Sequence, residues 1–259
     1  MRRVGVLAVL VSTLAVAGLV ACASNPLSPS GTVRGARPIV VFAAASLQRP
    51  FTEISEQFHR NNPGVDVDFD FAGSSELATR LTQGASADIF ASADVAQMDA
   101  VARAGLLAGN PTNFAANTLV IVTGAGNPKK IRSFPDLTRP GVDVVVCQQP
   151  VPCGSATRRL EDTTGIHLDP VSEELSVTDV LNKVTTGQAD AGIVYITDAL
   201  SAGNTVATVT FPASEGVVNV YPIAVLKEAS EPTLAQKFVA AVTAESGQQI
   251  LDQSGFARP

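Results

Sequence analysis

Apolar positions along the chain switch repeatedly between a period near two and a period near four, which predicts strands alternating with helices. Ile39-Val40-Val41-Phe42 is a short β-branched and aromatic run of the kind that fills a buried strand. Leu47, Phe51, Ile54 and Phe58 then fall at i, i+4, i+7 and i+11, one stripe of a helix. Val65, Val67, Phe69 and Phe71 alternate with Asp66, Asp68 and Asp70 as a second strand, and Leu77, Ala78 and Leu81 follow at helical spacing, closed by Gly84. Ile89-Phe90-Ala91 predicts a third strand, followed by a helix marked by Val95, Met98, Val101 and Ala102 with Gly105 past its end. A second cycle begins at Leu119–Val122. It continues through Val142–Cys147, a helix opened by Ala156 and Leu160 that carries Arg158, Arg159, Glu161 and Asp162 outward, and a helix of Val180, Leu181 and Val184 capped by Thr178. Ala191–Ile196, Val206–Phe211 and Val217–Leu226 read as further strands; Pro232 opens a helix, and a closing helix carries Ile250 and Leu251. The alternation predicts an α/β chain with mostly parallel sheets and helices on both faces.

Two strand-to-helix turns carry hydroxyls where the first backbone N–H groups have no intrahelical partner. They are Ala45-Ser46-Leu47 and Gly73-Ser74-Ser75. A helix start of this kind holds an anion without any positive side chain. Either serine alone reads equally as a cap of its own helix; the recurrence suggests a shared oxyanion site. Pro50 disfavours helical geometry at Arg49, which predicts a regular helix beginning a few residues after Ser46. The three aspartates are not a calcium loop, because its glycine and glutamate positions hold Phe71 and Leu77.

The chain has 259 residues and a formal net charge of −6. Arg2-Arg3 followed by the apolar stretch Val4–Val20 predicts a signal peptide over residues 1–21. Leu19-Val20-Ala21-Cys22 is similar to a bacterial lipobox, so Cys22 is expected to carry a lipid and to begin a tether over residues 22–37, rich in Ser, Pro and Gly. Without Arg2 and Arg3, 16 basic residues face 24 acidic ones, a mature charge near −8. That balance opposes nucleic-acid binding and a basic membrane-surface patch. It does not oppose a small anion held by neutral donors in a desolvated cleft.

Phe42-Ala43-Ala44-Ala45-Ser46-Leu47, Phe71-Ala72-Gly73-Ser74-Ser75, Ala87-Asp88-Ile89-Phe90-Ala91-Ser92-Ala93-Asp94 and Gly192-Ile193-Val194-Tyr195 occur in this order. The ordered set resembles the substrate-binding proteins of molybdate ABC importers, over about Ile39 to Phe256. The resemblance implies a two-lobed periplasmic-binding-protein-like fold of type II with the ligand cleft between lobes. Lobe I would take residues 38–115 plus 217–259 and lobe II residues 116–216, joined by two crossing strands that act as a hinge. It implies a molybdate or tungstate ligand contacted by Ser46 and Ser74 through hydroxyl and main-chain donors. The N–H groups of Cys153 and Val180 and the phenol of Tyr195 complete the set. It also implies a lipid-anchored monomer on the extracytoplasmic face, an ABC permease with its ATPase as partner, and no cofactor.

Cys147 and Cys153 lie six residues apart, and outside the cytoplasm such thiols usually pair, so a disulfide is expected. A metal pair is disfavoured because His59 and His167 lie elsewhere, at positions read as solvated. Sulfate is the alternative ligand. Phosphate ranks third because its usual proton calls for a buried acceptor carboxylate. A hydrolase using a turn serine is a further alternative, but neither Ser46 nor Ser74 sits in Gly-x-Ser-x-Gly, and no phosphate-cradling glycine loop with lysine occurs. A regulatory effector domain of the same fold is opposed by the signal segment and by the lack of a DNA-binding helix pair.

Overall fold

The computed structural model describes residues 37–259; the signal segment, Cys22 and the tether up to residue 36 lie outside the described residues. Nine strands are present among them: β1 (Ile39–Ala44), β2 (Val67–Ala72), β3 (Ile89–Ala91), β4 (Thr112–Gly124), β5 (Val144–Cys147), β6 (Ser172–Glu174), β7 (Ala191–Tyr195), β8 (Val206–Val209) and β9 (Val218–Val225). Eight α-helices accompany them: α1 (Gln48–Asn61), α2 (Ser74–Thr82), α3 (Val95–Arg103), α4 (Pro152–Thr164), α5 (Val177–Thr185), α6 (Ile196–Ala202), α7 (Pro232–Thr243) and α8 (Glu245–Gln253).

The strands run in the order β2-β1-β3-β9-β4-β7-β5-β6, with β8 also paired to β4. The outer pairs β1–β2, β1–β3, β5–β6 and β5–β7 are parallel, whereas β9 and β4 pair antiparallel with their neighbours and with each other. Alternation along β1 and β3 explains why helices cover both faces. Val41 and Ile89 face a core with Phe51, Phe58, Phe238 and Leu251 from α1, α7 and α8. Phe42 and Phe90 face the opposite side, with Leu77 and Leu81 of α2 and Met98 and Val101 of α3. A separate core runs from Leu119 to Val217 and contains Val145, Leu160, Val180 and Ile193. Both β4 and β9 contribute residues at the junction between these cores.

The predicted stripe of α1 is buried throughout, with Leu47, Phe51, Ile54 and Phe58 at most 3% exposed. Pro50 shifts the helix start less than expected. A 3-10 turn spans Ala45–Leu47, and α1 already begins at Gln48, with Arg49 helical. Pro50 falls in the first turn, where a missing N–H forfeits no bond. The thirteen residues of β4 extend well ahead of the predicted apolar run. Helix α6 follows β7 directly, where the sequence pattern showed only a strand.

Candidate functional site

Each candidate residue sits where a strand gives way to a helix. Ser46 lies in the turn after β1, with its Oγ 3.0 Å from Tyr221 Oη. Ser74 is the first residue of α2, and its Oγ accepts a hydrogen bond from the Ala93 N–H at 3.0 Å. Its own hydroxyl proton therefore remains free for another acceptor. Gly73 before it presses on the far half of the chain, because a Cβ there would lie 2.2 Å from the Leu175 carbonyl oxygen.

Cys153 is the second residue of α4, whose start is tied to β5 by the Cys147–Cys153 disulfide, with Cα atoms 5.6 Å apart. Gly154 is required beside it, since a Cβ would fall 2.2 Å from the Gln148 carbonyl oxygen and 2.5 Å from that of Cys147. The first-turn N–H groups of this helix have no intrahelical acceptor and point outward from its start. Tyr195 ends β7 and is 1% exposed. Its N–H donates to Asp198 Oδ2 at 3.0 Å, and its phenol oxygen accepts from Asn219 Nδ2 at 2.7 Å.

Ser46, Gly73, Ser74, Cys153, Val177 and Tyr195 line one small cavity, with room for a single small group. Neither a cation nor a carboxylate is among its lining residues. The starts of α2, α4 and α5 and the turn before α1 converge on it, so the positive ends of four backbone segments face the same point. A wider groove of about 400 Å³ adjoins at Ser46 and is lined also by Arg49, Thr178 and Asp198.

Burial sets the protonation of the groups around the cavity. It pushes the Tyr195 and Tyr221 phenols above their ordinary range, so both keep their protons. Burial also raises the Asp94 carboxyl, and carries that of Asp198 up to about 7.

Val180 is not brought to the cavity. Its N–H is spent on the Ser176 carbonyl at 3.3 Å, and its side chain is fully buried in the core. The reason is the cap: Ser176 rather than Thr178 starts α5, its Oγ accepting from the Asp179 N–H at 3.2 Å. The unpaired N–H groups of that turn therefore begin at Val177, which does line the cavity. Of the α4 side chains expected to point outward, Glu161 turns in, whereas Arg159 stays exposed and reaches back with its guanidinium. Arg159 Nη2 donates to Asn219 Oδ1 at 2.7 Å, and Glu161 accepts from the Leu168 N–H at 2.7 Å.

Asn117, Asn219 and Tyr221 are the residues the sequence pattern passed over. All three are buried on β4 and β9, where Asn117 and Asn219 are direct cross-strand neighbours. An asparagine inside an apolar strand, as in Val218-Asn219-Val220, was the available signal. Neither cavity serine faces a histidine, since His59 lies beside Val65 and Asp66 and His167 is exposed.

Residues 39–257 match the family described as bacterial extracellular solute-binding protein. The molybdate-binding protein ModA of Mycobacterium tuberculosis (strain ATCC 25618 / H37Rv) is 71% identical over 261 residues, covering 100% of both chains. This chain belongs to the bacterial extracellular solute-binding protein family. As a solute-binding protein it is a carrier of a ligand and not an enzyme. Its α/β fold is that of periplasmic binding proteins. The periplasmic molybdate-binding protein of Azotobacter vinelandii superposes with a TM-score of 0.75 at 19% identity, covering 85% of this chain and 99% of that one. The sulfate-binding protein SubI of Mycobacterium tuberculosis H37Rv superposes with a TM-score of 0.74 at 21% identity, covering 85% and 86%. No helix among the described residues of this solute-binding protein is long and apolar enough to cross a membrane.

Proposed function

We propose that this solute-binding protein captures molybdate, or the nearly isosteric tungstate, outside the cytoplasm and delivers it to the permease and ATPase of an ABC importer. One observation carries the reading: Ser46, Ser74, Cys153 and Tyr195 face a single cavity that presents hydroxyls and helix-start N–H groups and no carboxylate. Molybdate is a dianion without a proton at neutral pH, so its oxygens only accept. A cage of donors matches it, each charge-assisted bond contributing about 1.5–3 kcal/mol before dehydration. Val177 replaces Val180 as the main-chain donor of α5 in this reading.

Residues 38–115 plus 217–259 form one lobe and residues 116–216 the other in the same proposal, with β4 and β9 as the hinge between them. Closing the lobes brings the donors of Ser46 and Ser74 against those of Cys153, Val177 and Tyr195, and opening them releases the anion to the permease. A lipid on Cys22 and the tether after it hold the protein, as a monomer, at the outer face of the cell membrane. Calorimetric titration of residues 23–259 with molybdate, tungstate, sulfate and phosphate tests the ligand; sulfate binding as tightly as molybdate would transfer the reading to the sulfate class.

A further inference from the structure

We propose that Asn219 is a positioning residue for the oxyanion, acting through Tyr195: its amide forces the phenol proton into the cavity. Asn117, its neighbour across the two central strands, does the same for Ser46 through Tyr221. The inference rests on the proposed oxyanion site and concerns which way its protons point.

The orientation of the Asn219 amide follows from what surrounds it. Its Oδ1 meets the Arg159 guanidinium at 2.7 Å, and a guanidinium only donates. Its Nδ2 meets the carbonyl oxygens of Ala93 at 3.0 Å and Pro152 at 3.4 Å, which only accept, and Tyr195 Oη at 2.7 Å. A flipped amide would set oxygen against two carbonyls and nitrogen against a cation. The Tyr195 oxygen therefore receives a proton from behind, and its single phenol proton is left for an acceptor on the other side, where an anion in the cavity that Tyr195 lines competes with the neighbouring Tyr221 oxygen.

The second chain of bonds has the same polarity. Asn117 Oδ1 accepts from the Thr118 N–H at 3.0 Å, so its Nδ2 donates to Thr197 Oγ1 at 2.8 Å and to Tyr221 Oη at 3.4 Å. In the proposed arrangement the Tyr221 hydroxyl donates to Ser46 Oγ, 3.0 Å away, which leaves the Ser46 proton for the cavity. Ser74 completes the pattern, its oxygen already taken by the Ala93 N–H. Three hydroxyls thus turn their protons to one point, each with its oxygen already engaged from behind. A fully deprotonated oxyanion satisfies all three, whereas one that keeps a proton must turn that proton toward a donor.

A purely structural asparagine would tie Ala93 and Pro152 together and leave Tyr195 unaffected. A double-mutant cycle separates the two roles. Tyr195→Phe should raise the molybdate Kd about 10–100-fold, the range for one bond to a charged group, and Asn219→Leu should do so to a similar extent. The double variant should lie within about threefold of Tyr195→Phe alone, because the phenol through which Asn219 acts is already gone. Losses that multiply would overturn the inference.

The chain has two tyrosines and no tryptophan, so the long-wavelength part of its near-ultraviolet difference spectrum, beyond the phenylalanine bands, reports the phenols. Molybdate should shift that spectrum to the red in the wild type and less in Asn219→Leu, and an identical shift in the two would count against the inference. A wild-type protein that does not bind molybdate overturns the oxyanion reading itself, whereas wild-type binding with multiplicative losses overturns this inference alone.

Discussion

Gly73→Ala should weaken anion binding while leaving each half of the molecule folded. The backbone of Gly73 has φ −61° and ψ 135°, a conformation alanine adopts freely. The added methyl would lie 2.2 Å from the Leu175 carbonyl oxygen, and an ordinary contact begins at 3.4 Å, so 3.4 − 2.2 leaves a deficit of about 1.2 Å. The obstructing atom is backbone and cannot rotate away. Leu175 immediately precedes Ser176, the cap of α5, so the overlap is relieved by moving the start of α5 away from the start of α2. Donors from both must reach the same anion, and a retreat of about 1 Å takes a bond of about 2.8 Å beyond useful range. Losing one charge-assisted donor corresponds to about 1.5–3 kcal/mol, a rise in Kd of about 10–150-fold. Titration calorimetry with molybdate measures that change, and thermal unfolding without anion should shift by no more than about 2 °C. A Kd within threefold of wild type would refute the closure argument.

Ser74→Ala should weaken molybdate by about 1–3 kcal/mol and also lower stability, since the Ala93 N–H loses its acceptor; Ser46→Ala should weaken binding comparably with its helix intact. Calorimetry and urea unfolding of both variants check this, and unaltered binding in either removes that serine from the site. The Asp198 carboxyl, carried by burial from 3.8 to about 7, stays protonated in the folded chain where the unfolded chain ionises it. Its contribution is therefore most favourable below about pH 4, declines up to about pH 7 and is constant above, a swing on the order of 4 kcal/mol. Asp198→Asn should abolish that decline, so the variant gains stability over wild type between pH 4 and pH 7; parallel pH profiles would contradict the burial argument. Mass spectrometry of the membrane fraction should find a diacylated Cys22 at the N-terminus, and a mature chain starting elsewhere would exclude the anchor.

Much of the fold is legible because buried elements advertise themselves by period. The Leu47–Phe58 stripe and the Pro232 helix start both stand in the structure as read. The turn serines are legible for the same reason: a hydroxyl between a strand pattern and a helix pattern has few other places to be. What failed is finer than a period. Val180 and Val177 are both apolar and three residues apart on one helix face, so only the cap distinguishes the residue with a free N–H, and Ser176 and Thr178 are both competent caps. The bond from the exposed Arg159 back to Asn219, sixty residues away in sequence, is one that no local pattern reports. Asn117 and Asn219 meet only because β4 and β9 pair, and that pairing is tertiary information.

The most direct measurement is the ranking of tetrahedral anions by titration calorimetry of residues 23–259 at pH 7.5. A cage of inward-pointing protons predicts tight, one-to-one binding of molybdate and tungstate. Sulfate should bind more weakly because its shorter bonds leave donors unreached, and phosphate weakest because its proton meets no acceptor. Phosphate or sulfate binding as tightly as molybdate would contradict the account.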